Sequence, residues 1–367
     1  METARERVLK AVGHVEPEST PVNLSNIYGV DRWLAHFGAK DGPDLRYRLN
    51  LDVEYARPVY TGPYARQGLD IWGTPLGDVY GADGAGYSEA RGGYPLADAQ
   101  TLADLDRFAW PDPDDFDYDV AARVLKSIPA DKARRLDLKY GIAQEGKSNE
   151  QCQGGGSWLP LICALFNLFG FEKTLMNLSL EPLLMEAAIK RIEEFTLEFT
   201  RRSLESTRGL ADMVFYGDDF STQTGILISP EQWRRFLKPT YEKVFSLAKS
   251  HGLKVWFHSC GQFIPVLGDL VDIGMDVWET VQVHLKGNDP GMLKRDYGKH
   301  ITFFGAISTQ TTLPHGTPED VRAEVRERIR ILGKGGGYIC GADHGIMPDV
   351  PIENVEAMLD EARRFKP

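Results

Sequence analysis

Reactive side chains follow several of the apolar segments of this chain. His258 and Cys260 stand two residues apart in the segment WFHSCG, and Cys340 follows the apolar start of YICGADHG. In an extended segment, residues i and i+2 point to the same side, so His258 and Cys260 can reach one ion. Imidazole and thiolate groups together favour zinc over calcium or magnesium. With Cys340, three protein ligands would leave a fourth position for water or substrate, as in catalytic zinc sites.

The cysteines also have a plainer interpretation, because cysteine is among the residue types most often buried in protein cores. A closed site of four cysteines is disfavoured, since Cys152 and Cys163 do not share a ligand spacing. Cys163 lies in the apolar stretch LPLICALFNLF, which predicts a core residue, and Cys152 is expected in a loop near the mouth of the site without an assigned role. The position of Cys340 at the end of a further predicted strand is the feature that favours zinc.

Carboxylates end two other apolar segments. Asp218 and Asp219 follow FYG, and Glu279 lies in WETVQ. We expect all three to be catalytic residues, because carboxylates at strand ends can orient ligands or transfer protons. Asp218 and Asp219 have the alternative role of capping the next helix, and Glu279 has the alternatives of a fourth zinc ligand, a hydrogen-bond partner of His258 or a surface residue. His344 is expected only to contact backbone.

These polar residues lie at the carboxyl ends of predicted strands, and this placement predicts the fold. Short apolar segments alternate with longer amphipathic ones from about residue 136 onward, as in a parallel sheet covered by helices. The expected fold is an α/β protein, a (β/α)8 TIM-type barrel, whose strand ends meet to form the active site. The predicted strands are 136–143, 212–216, 253–257, 275–280, 301–305 and 337–339, and the predicted helices are 183–207, 230–251, 263–273, 318–332 and 352–364.

The first part of the chain has a different composition. Residues 1–130 are rich in Gly, Pro, Asp and aromatic residues, and we expect them to form an N-terminal extension together with the first barrel elements. No internal repeat or low-complexity linker divides the sequence. Residues 1–367 are therefore predicted to form a single domain.

Composition excludes several classes of function. Hydrophobic residues make up 42% and charged residues 26% of the chain, which is typical of a globular protein with a sizeable core. The formal net charge of −11 and the lack of a Lys/Arg cluster argue against nucleic acid and anionic membranes as partners. No apolar run of transmembrane length or signal-peptide core occurs, so we expect a cytoplasmic protein.

Several segments of the chain resemble those of a known family. The segments RERVLKAV, DIWGT, GDDFSTQTGILISPEQWRRFLKPTYEKVF, FHSCG and DHGIMPDVPIENVEAM resemble the uroporphyrinogen decarboxylase superfamily. The superfamily contains decarboxylases that act on a tetrapyrrole and zinc-dependent methyltransferases that work with a corrinoid protein. The decarboxylase motif Pro-x-Trp-x-Met-Arg-Gln-Ala-Gly-Arg is replaced here by PVNLSNIYGVDRWLAHFG, without its arginine pair. Asp70 falls at the catalytic aspartate of the decarboxylases, whereas His258, Cys260 and Cys340 are similar to the zinc motif of the methyltransferases.

The resemblance implies a methyltransferase that uses zinc and a corrinoid (cobalamin) bound to a partner protein. Zinc would either stabilise a thiolate that accepts the methyl group or polarise the ether oxygen of a methoxylated compound, as in O-demethylation. The small-molecule methyl donor or thiol acceptor is left open, as is a homodimer. Five aromatic residues could line the mouth, namely Trp158, Tyr216, Phe220, Trp256 and Trp278. The alternatives are a decarboxylase-like enzyme, which would need a basic pocket, and a non-catalytic zinc or corrinoid-binding module.

Overall fold

A parallel sheet curls around the centre of the molecule. The computed structural model describes residues 2–65, 67–78, 88–90, 92–139, 141–142 and 161–366. Seven strands of this part follow one another across the sheet in chain order, and each pairs in parallel with the next. They are β1 (Val53–Ala56), β2 (Ala133–Asp137), β3 (Met213–Gly217), β4 (Lys254–His258), β5 (Val277–Val281), β6 (Thr302–Ile307) and β7 (Tyr338–Ala342).

A segment near the N-terminus joins the two edges of this sheet. Cys340 in β7 donates its backbone N–H to Pro21, and Asn23 donates to Cys340 in return, over 2.8 and 3.0 Å. On the other side, Asp52, which precedes β1, donates its N–H to the Val22 carbonyl over 3.0 Å. The segment thus takes the eighth position of the barrel, and the predicted (β/α)8 TIM-type architecture is confirmed with an irregular eighth element.

Alternate residues of the strands face two different cores. The inner core fills the barrel, and the outer core lies between the strands and the helices. The N-terminal helix Ala4–Val12 supplies Val8 and Val12 to the inner core, so that it covers the amino end of the barrel. A capping box formed by Thr3 and Glu6 begins this helix. The remaining buried residues of the inner core are Val53, Ala133, Met213, Phe215, Trp256, Val277, Phe304 and Ile339.

Helices cover the outside of the sheet between successive strands. None of those in the described ranges is both long and apolar enough to cross a membrane. The α-helices are Ala4–Val12, Val30–Phe37, Gly42–Arg48, Leu102–Arg107, Asp119–Ser127, Ile162–Phe169, Phe171–Leu180, Pro182–Ser206, Pro230–Phe236, Lys238–Ser250, Ile264–Asp272, Pro290–Tyr297, Thr312–His315, Pro318–Arg328 and Ile352–Arg364, the last coinciding with its prediction. A 3₁₀ turn at Pro113–Asp115 and a π-helical turn at Ile329–Gly333 accompany them.

Short strands outside the barrel sheet form three small pairings. They are a sheet of Phe116–Asp117, Val59–Tyr60 and Gly141–Ile142, a hairpin of Ser221–Thr222 with Gly225–Ile226, and a hairpin of Leu76–Asp78 with Ser88–Ala90.

Two boundaries differ from the prediction in ways that matter. The helix predicted over 230–251 is two helices that meet at Leu237, because Pro239 lacks an N–H and its ring obstructs the carbonyl four residues earlier. The last strand was predicted to end at residue 339, but β7 continues to Ala342. This extension places Cys340 inside the strand rather than at its tip.

Candidate metal centre at the barrel mouth

Three side chains that could bind a metal converge at the carboxyl end of the barrel. His258 is the last residue of β4, Cys260 follows two residues later, and His344 lies in the turn after β7. One donor atom of each lies within 4.8 Å of the other two. The His258 Nε2 and Cys260 Sγ atoms are 3.3 Å apart, and the two imidazole rings have centroids 6.2 Å apart.

The donor set fits a zinc ion. Zinc bonds of about 2.0–2.1 Å to nitrogen and about 2.3 Å to sulfur, at tetrahedral angles, place the two donor atoms about 3.5 Å apart. The observed His258–Cys260 distance of 3.3 Å agrees with this value. Burial, together with the positive charge of His258 when protonated, lowers the pKa of His344, which favours the neutral imidazole that metals bind. Burial raises the pKa of the Cys260 thiol well above its usual value, so a cation is needed to hold it as thiolate.

Cys340 does not lie in this group, although the sequence predicted it as the third ligand. It is 1% exposed and belongs to the outer core, with Tyr338, whereas the intervening Ile339 belongs to the inner core. Because side chains alternate along a strand, Cys340 faces the helices and not the barrel mouth. Burial raises the pKa of its thiol to about 12. In the structure, the third residue beside His258 and Cys260 is His344. From the sequence, His344 was expected only to contact the backbone.

Glu279 stands behind the donor group. It is 3% exposed, and its Oε1 atom lies 3.4 Å from the Nδ1 atom of His258. Burial raises the pKa of Glu279, but the hydrogen bond with His258 and the charge of Arg135 outweigh this effect and bring it to about 2. A carboxylate on Nδ1 fixes the ring so that Nε2 points to the metal position. The sequence left three roles open for Glu279, namely a fourth zinc ligand, a hydrogen-bond partner of His258 and a surface residue. In the structure, Glu279 is the hydrogen-bond partner of His258.

The two neighbouring aspartates have different surroundings. Asp218 is fully buried and accepts the backbone N–H groups of Leu161, Ile162 and Cys163 over 2.9, 2.9 and 3.1 Å, as well as the hydroxyl of Tyr241. It therefore satisfies the amino end of the helix Ile162–Phe169, which precedes it in the chain, whereas the alternative considered from the sequence was a cap on the next helix. Burial raises its pKa, and these hydrogen bonds oppose the rise.

Asp219, in contrast, faces the metal centre. Its Oδ1 atom accepts the backbone N–H of Cys260 over 2.9 Å and lies 3.8 Å from the Nε2 atom of His258. Its side chain is 36% exposed, the highest value among the charged groups near the donor atoms. Of the two aspartates, Asp219 is therefore the one that can reach a substrate.

A chain of buried charges connects Glu279 with the β2 side of the mouth. Arg135 donates one hydrogen bond of 3.1 Å to Glu279 and two hydrogen bonds of 2.7 and 3.2 Å to Asp137. Lys139 lies beyond, with its Nζ atom 3.9 Å from Asp137. The strand predicted over 136–143 left out Arg135, and Asp137 and Lys139 within it were given no role from the sequence. The alternation of charged residues in ARRLDLK at positions 135, 137 and 139 is the signal that would have revealed them.

Strained turns hold the donor residues in place. Gly261 has a φ of 89°, and a Cβ atom there would collide with the carbonyl of Thr222. Thr280, at the irregular end of β5 beside Glu279, has a φ of 61°, which is rare for a β-branched residue. Asp343 accepts the N–H and hydroxyl groups of Thr309 over 2.9 and 2.7 Å, which fixes the turn that carries His344.

The other residues named from the sequence lie elsewhere or outside the described residues. Trp256 belongs to the inner core and donates its indole N–H to Glu279, whereas Tyr216, Phe220 and Trp278 belong to the outer core. Cys163 is partly buried and packs against the outer core, which agrees with its prediction. Cys152 and Trp158 are not among the described residues.

The side chain of Asp70 accepts hydrogen bonds from the turn that follows it. It accepts the backbone N–H groups of Trp72 and Thr74 and the side-chain amide of Asn167, over 2.9, 2.8 and 2.7 Å. Burial raises its pKa to about 6 against the effect of these hydrogen bonds.

Comparison with known proteins identifies the family. The methylcobamide:CoM methyltransferase MtaA of Methanosarcina barkeri is 26% identical over 176 residues, which are 48% of this chain and 48% of the relative. The methylated-thiol–coenzyme M methyltransferase of Methanosarcina mazei is 26% identical over 207 residues, 55% of this chain and 51% of the relative. Uroporphyrinogen decarboxylases also match. The chain thus spans about half the length of the curated relatives it matches.

Structure and family agree with this similarity. A solved structure of a methyltransferase from Methanosarcina mazei superposes with a TM-score of 0.66 at 20% identity, covering 99% of this chain and 98% of the other, which shows a common fold. The family described as uroporphyrinogen decarboxylase (URO-D) matches residues 161–365, which include the strands β3 to β7 and all three donor residues. The chain belongs to the uroporphyrinogen decarboxylase family.

Proposed function

We propose that this protein is a zinc-dependent methyltransferase that moves a methyl group between a small substrate and a corrinoid carried by a partner protein. The small substrate is a methylated compound, such as a methoxylated aromatic, or a thiol that accepts the methyl group. The observation that carries the proposal is the group of His258, Cys260 and His344 at the open end of the barrel. The similarity of the chain to a methylcobamide:CoM methyltransferase and to a methylated-thiol–coenzyme M methyltransferase supports the same activity.

Each residue of the centre has a defined task in this proposal. His258, Cys260 and His344 hold the zinc ion and leave a fourth position for the substrate. A bound zinc ion would stabilise a thiolate at neutral pH or polarise an ether oxygen. Glu279 orients the imidazole of His258, and Asp219 is placed to accept a proton from a substrate thiol. The substrate and the corrinoid meet above these residues because the barrel is closed at its other end by the helix Ala4–Val12.

Decarboxylation of a tetrapyrrole is the second candidate. This reaction would need a basic pocket, which the sequence did not reveal. In the structure, the basic side chains of Arg57, Arg135 and Lys139 lie near one another on the β1 and β2 side of the barrel. Arg135 is neutralised by Asp137 and Glu279. A substrate with many carboxylates would need more cationic groups than this, and Asp70 is bound within its own turn. The methyltransferase function is therefore favoured.

The test is methyl transfer with free cobalamin. Zinc-loaded protein is mixed with methylcobalamin and a thiol, or with cob(I)alamin and methoxylated aromatic compounds, and the change between the two cobalamin spectra is followed. We expect conversion in at least one direction with the wild-type protein. Cys260→Ser should abolish it.

The matched control is Cys340→Ser. It changes a cysteine of the same barrel end that faces the outer core, and it should keep both zinc and activity when folded. If zinc-loaded wild-type protein leaves cobalamin unchanged with thiols, methyl ethers, methylamines and methyl halides, the proposed function is wrong.

A further inference from the structure

Lys139 is a buried cation whose position the proposed chemistry does not explain. The residue is 8% exposed, and its side chain retains 10% of its accessible surface. Its nearest carboxylate oxygen, on Asp137, is 3.9 Å away, beyond the length of a hydrogen bond. In the part of the chain that the structure describes, the Lys139 ammonium donates no hydrogen bond. Because the side chain keeps some accessible surface, the ammonium group can meet solvent or a small molecule where it has no protein acceptor.

The acid beside Lys139 is already engaged. Asp137 receives two hydrogen bonds from Arg135, which in turn contacts Glu279. Positive charge therefore predominates at Lys139 itself. Burial and the charges of Arg57 and Arg135 lower the pKa of Lys139 to about 8, and Asp137 opposes them only in part. A monoanion placed at the ammonium would supply the missing acceptor and compensate the local charge.

Lys139 is also close to the metal centre. The ring of Phe215 has its centroid 5.2 Å from the Lys139 Nζ atom and 6.3 Å from the centroid of the His258 ring. One aromatic side chain thus separates the ammonium group from a metal-binding imidazole. Glu279, the hydrogen-bond partner of His258, is also near enough to Lys139 to raise the pKa of the ammonium group.

We infer that Lys139 is a specificity-determining residue that binds the anionic end of the small substrate, a carboxylate, while the reacting end of the same molecule lies at His258, Cys260 and His344. This inference deepens the proposed function and rests on it for the identity of the reacting end. The substrate class is a thiol acid or a methylated carboxylic acid. Neutral molecules of the same length are expected to bind more weakly.

The experiment compares two thiols that differ in charge. Binding of 3-mercaptopropionate and of 3-mercapto-1-propanol to the zinc-loaded protein is measured by calorimetry at pH 7. The wild-type protein should bind the acid about tenfold more tightly, as expected for a hydrogen bond to a charged group. Lys139→Met should reduce this preference to near unity without loss of zinc, and Lys139→Arg should retain most of it.

A second lysine of the same strand region provides the matched control. Lys132 immediately precedes β2, is 5% exposed, and donates to Asn50 and Leu51 at the opposite end of the barrel, over 2.7 and 2.8 Å. Lys132→Met, checked for folding by circular dichroism, should keep the wild-type preference. A wild-type protein without preference for the acid, or a folded Lys139→Met variant that retains it, would overturn the inference.

Measuring cobalamin methylation in the same proteins separates the two proposals. If the acid is preferred through Lys139 but no methyl transfer occurs, the anion site stands and the proposed reaction fails. If methyl transfer occurs and the preference does not depend on Lys139, the reaction stands and the anion site fails.

Discussion

The metal side and the cationic side of the barrel mouth are built differently. On the metal side, Cys260 and His344 lie in turns beyond the ends of β4 and β7, and hydrogen bonds from loop residues fix these turns. On the cationic side, Arg135 and Asp137 lie within β2 and point into the barrel through strand alternation alone. The metal side therefore depends on where a strand ends, and the cationic side depends on the alternation of side chains along β2.

The contrast also separates two kinds of polar contact. On the metal side, Cys260 and the two histidines bring donor atoms within 4.8 Å of one another, as binding of a metal ion would require. Most groups on the cationic side satisfy one another through Arg135, whereas Lys139 has within the described ranges only the 3.9 Å ion pair with Asp137. The following predictions test each side in turn.

The largest expected effect is on metal content. His344→Ala should remove most of the bound zinc, because it takes away one of three protein ligands. Cys340→Ala should leave about one zinc per chain, because its thiol faces the outer core. Elemental analysis of the purified proteins measures both. Zinc lost in Cys340→Ala and kept in His344→Ala would restore the ligand set predicted from the sequence.

The adjacent aspartates should separate stability from activity. Asp218→Ala leaves three buried N–H groups and the Tyr241 hydroxyl without their acceptor, and should lower the free energy of unfolding by about 3 kcal/mol. Asp219→Ala should change stability by less than about 1 kcal/mol, because the side chain is partly exposed, and should lower methyl transfer. Urea denaturation and cobalamin spectra provide the two readouts. Equal loss of stability in both variants would contradict the assignment.

Replacing Glu279 tests the link between the two sides. Glu279→Gln keeps the shape of the side chain but removes the charge that faces His258 and Arg135, so zinc affinity should fall by about 10- to 100-fold. Competition with a chromophoric chelator measures the affinity. The pKa of Glu279 is lowered from its ordinary value of 4.5 to about 2, so the ionised carboxylate stabilises the fold at neutral pH. This contribution is lost as the pH falls from the ordinary pKa through the lowered one. Unchanged zinc affinity in the variant would show that His258 needs no carboxylate partner.

The smallest effect concerns the pH dependence of the anion preference. The pKa of Lys139 is lowered to about 8, so its ammonium is charged below that pH and neutral above it. The preference for 3-mercaptopropionate over the alcohol should therefore fall from about tenfold at pH 7 to about twofold at pH 9. Arg135 and Glu279 keep their charges over this range, because the pKa of Arg135 is raised by Asp137 and Glu279 against the effect of burial, and that of Glu279 is about 2. Lys139→Arg should make the preference independent of pH, and a pH-independent wild-type preference would point to an arginine as the anion site.

Much of the fold was predictable because hydrophobic periodicity is a local property. Six of the seven barrel strands overlap their predictions, and the helix Ile352–Arg364 coincides with its own. The strand Val53–Ala56 was missed because VEYA is short and carries a charged residue. Pairing of the Pro21–Asn23 segment with the last strand depends on a contact between distant parts of the chain, which no local pattern indicates.

The candidate site was predicted in part for the same reason. The spacing of His258 and Cys260 is local, and the structure confirms that they lie together. The selection of Cys340 over His344 depended on the last residue of β7, and element boundaries are the least certain feature of a sequence-based prediction. The roles of Asp218 and Asp219 could not be separated from the sequence, because each depends on which face of β3 meets the helix Ile162–Phe169.

The way in which the barrel is closed has a consequence for folding during synthesis. The segment around Val22 is made long before the strand with which it pairs, Tyr338–Ala342, because about 300 residues separate the two in the sequence. Contacts between residues so far apart in sequence slow folding, because the entropy of closing a long loop must be lost before they form. Until Cys340 leaves the ribosome, the Pro21–Asn23 segment therefore lacks its partner strand, and a nascent barrel exposes that edge to other chains.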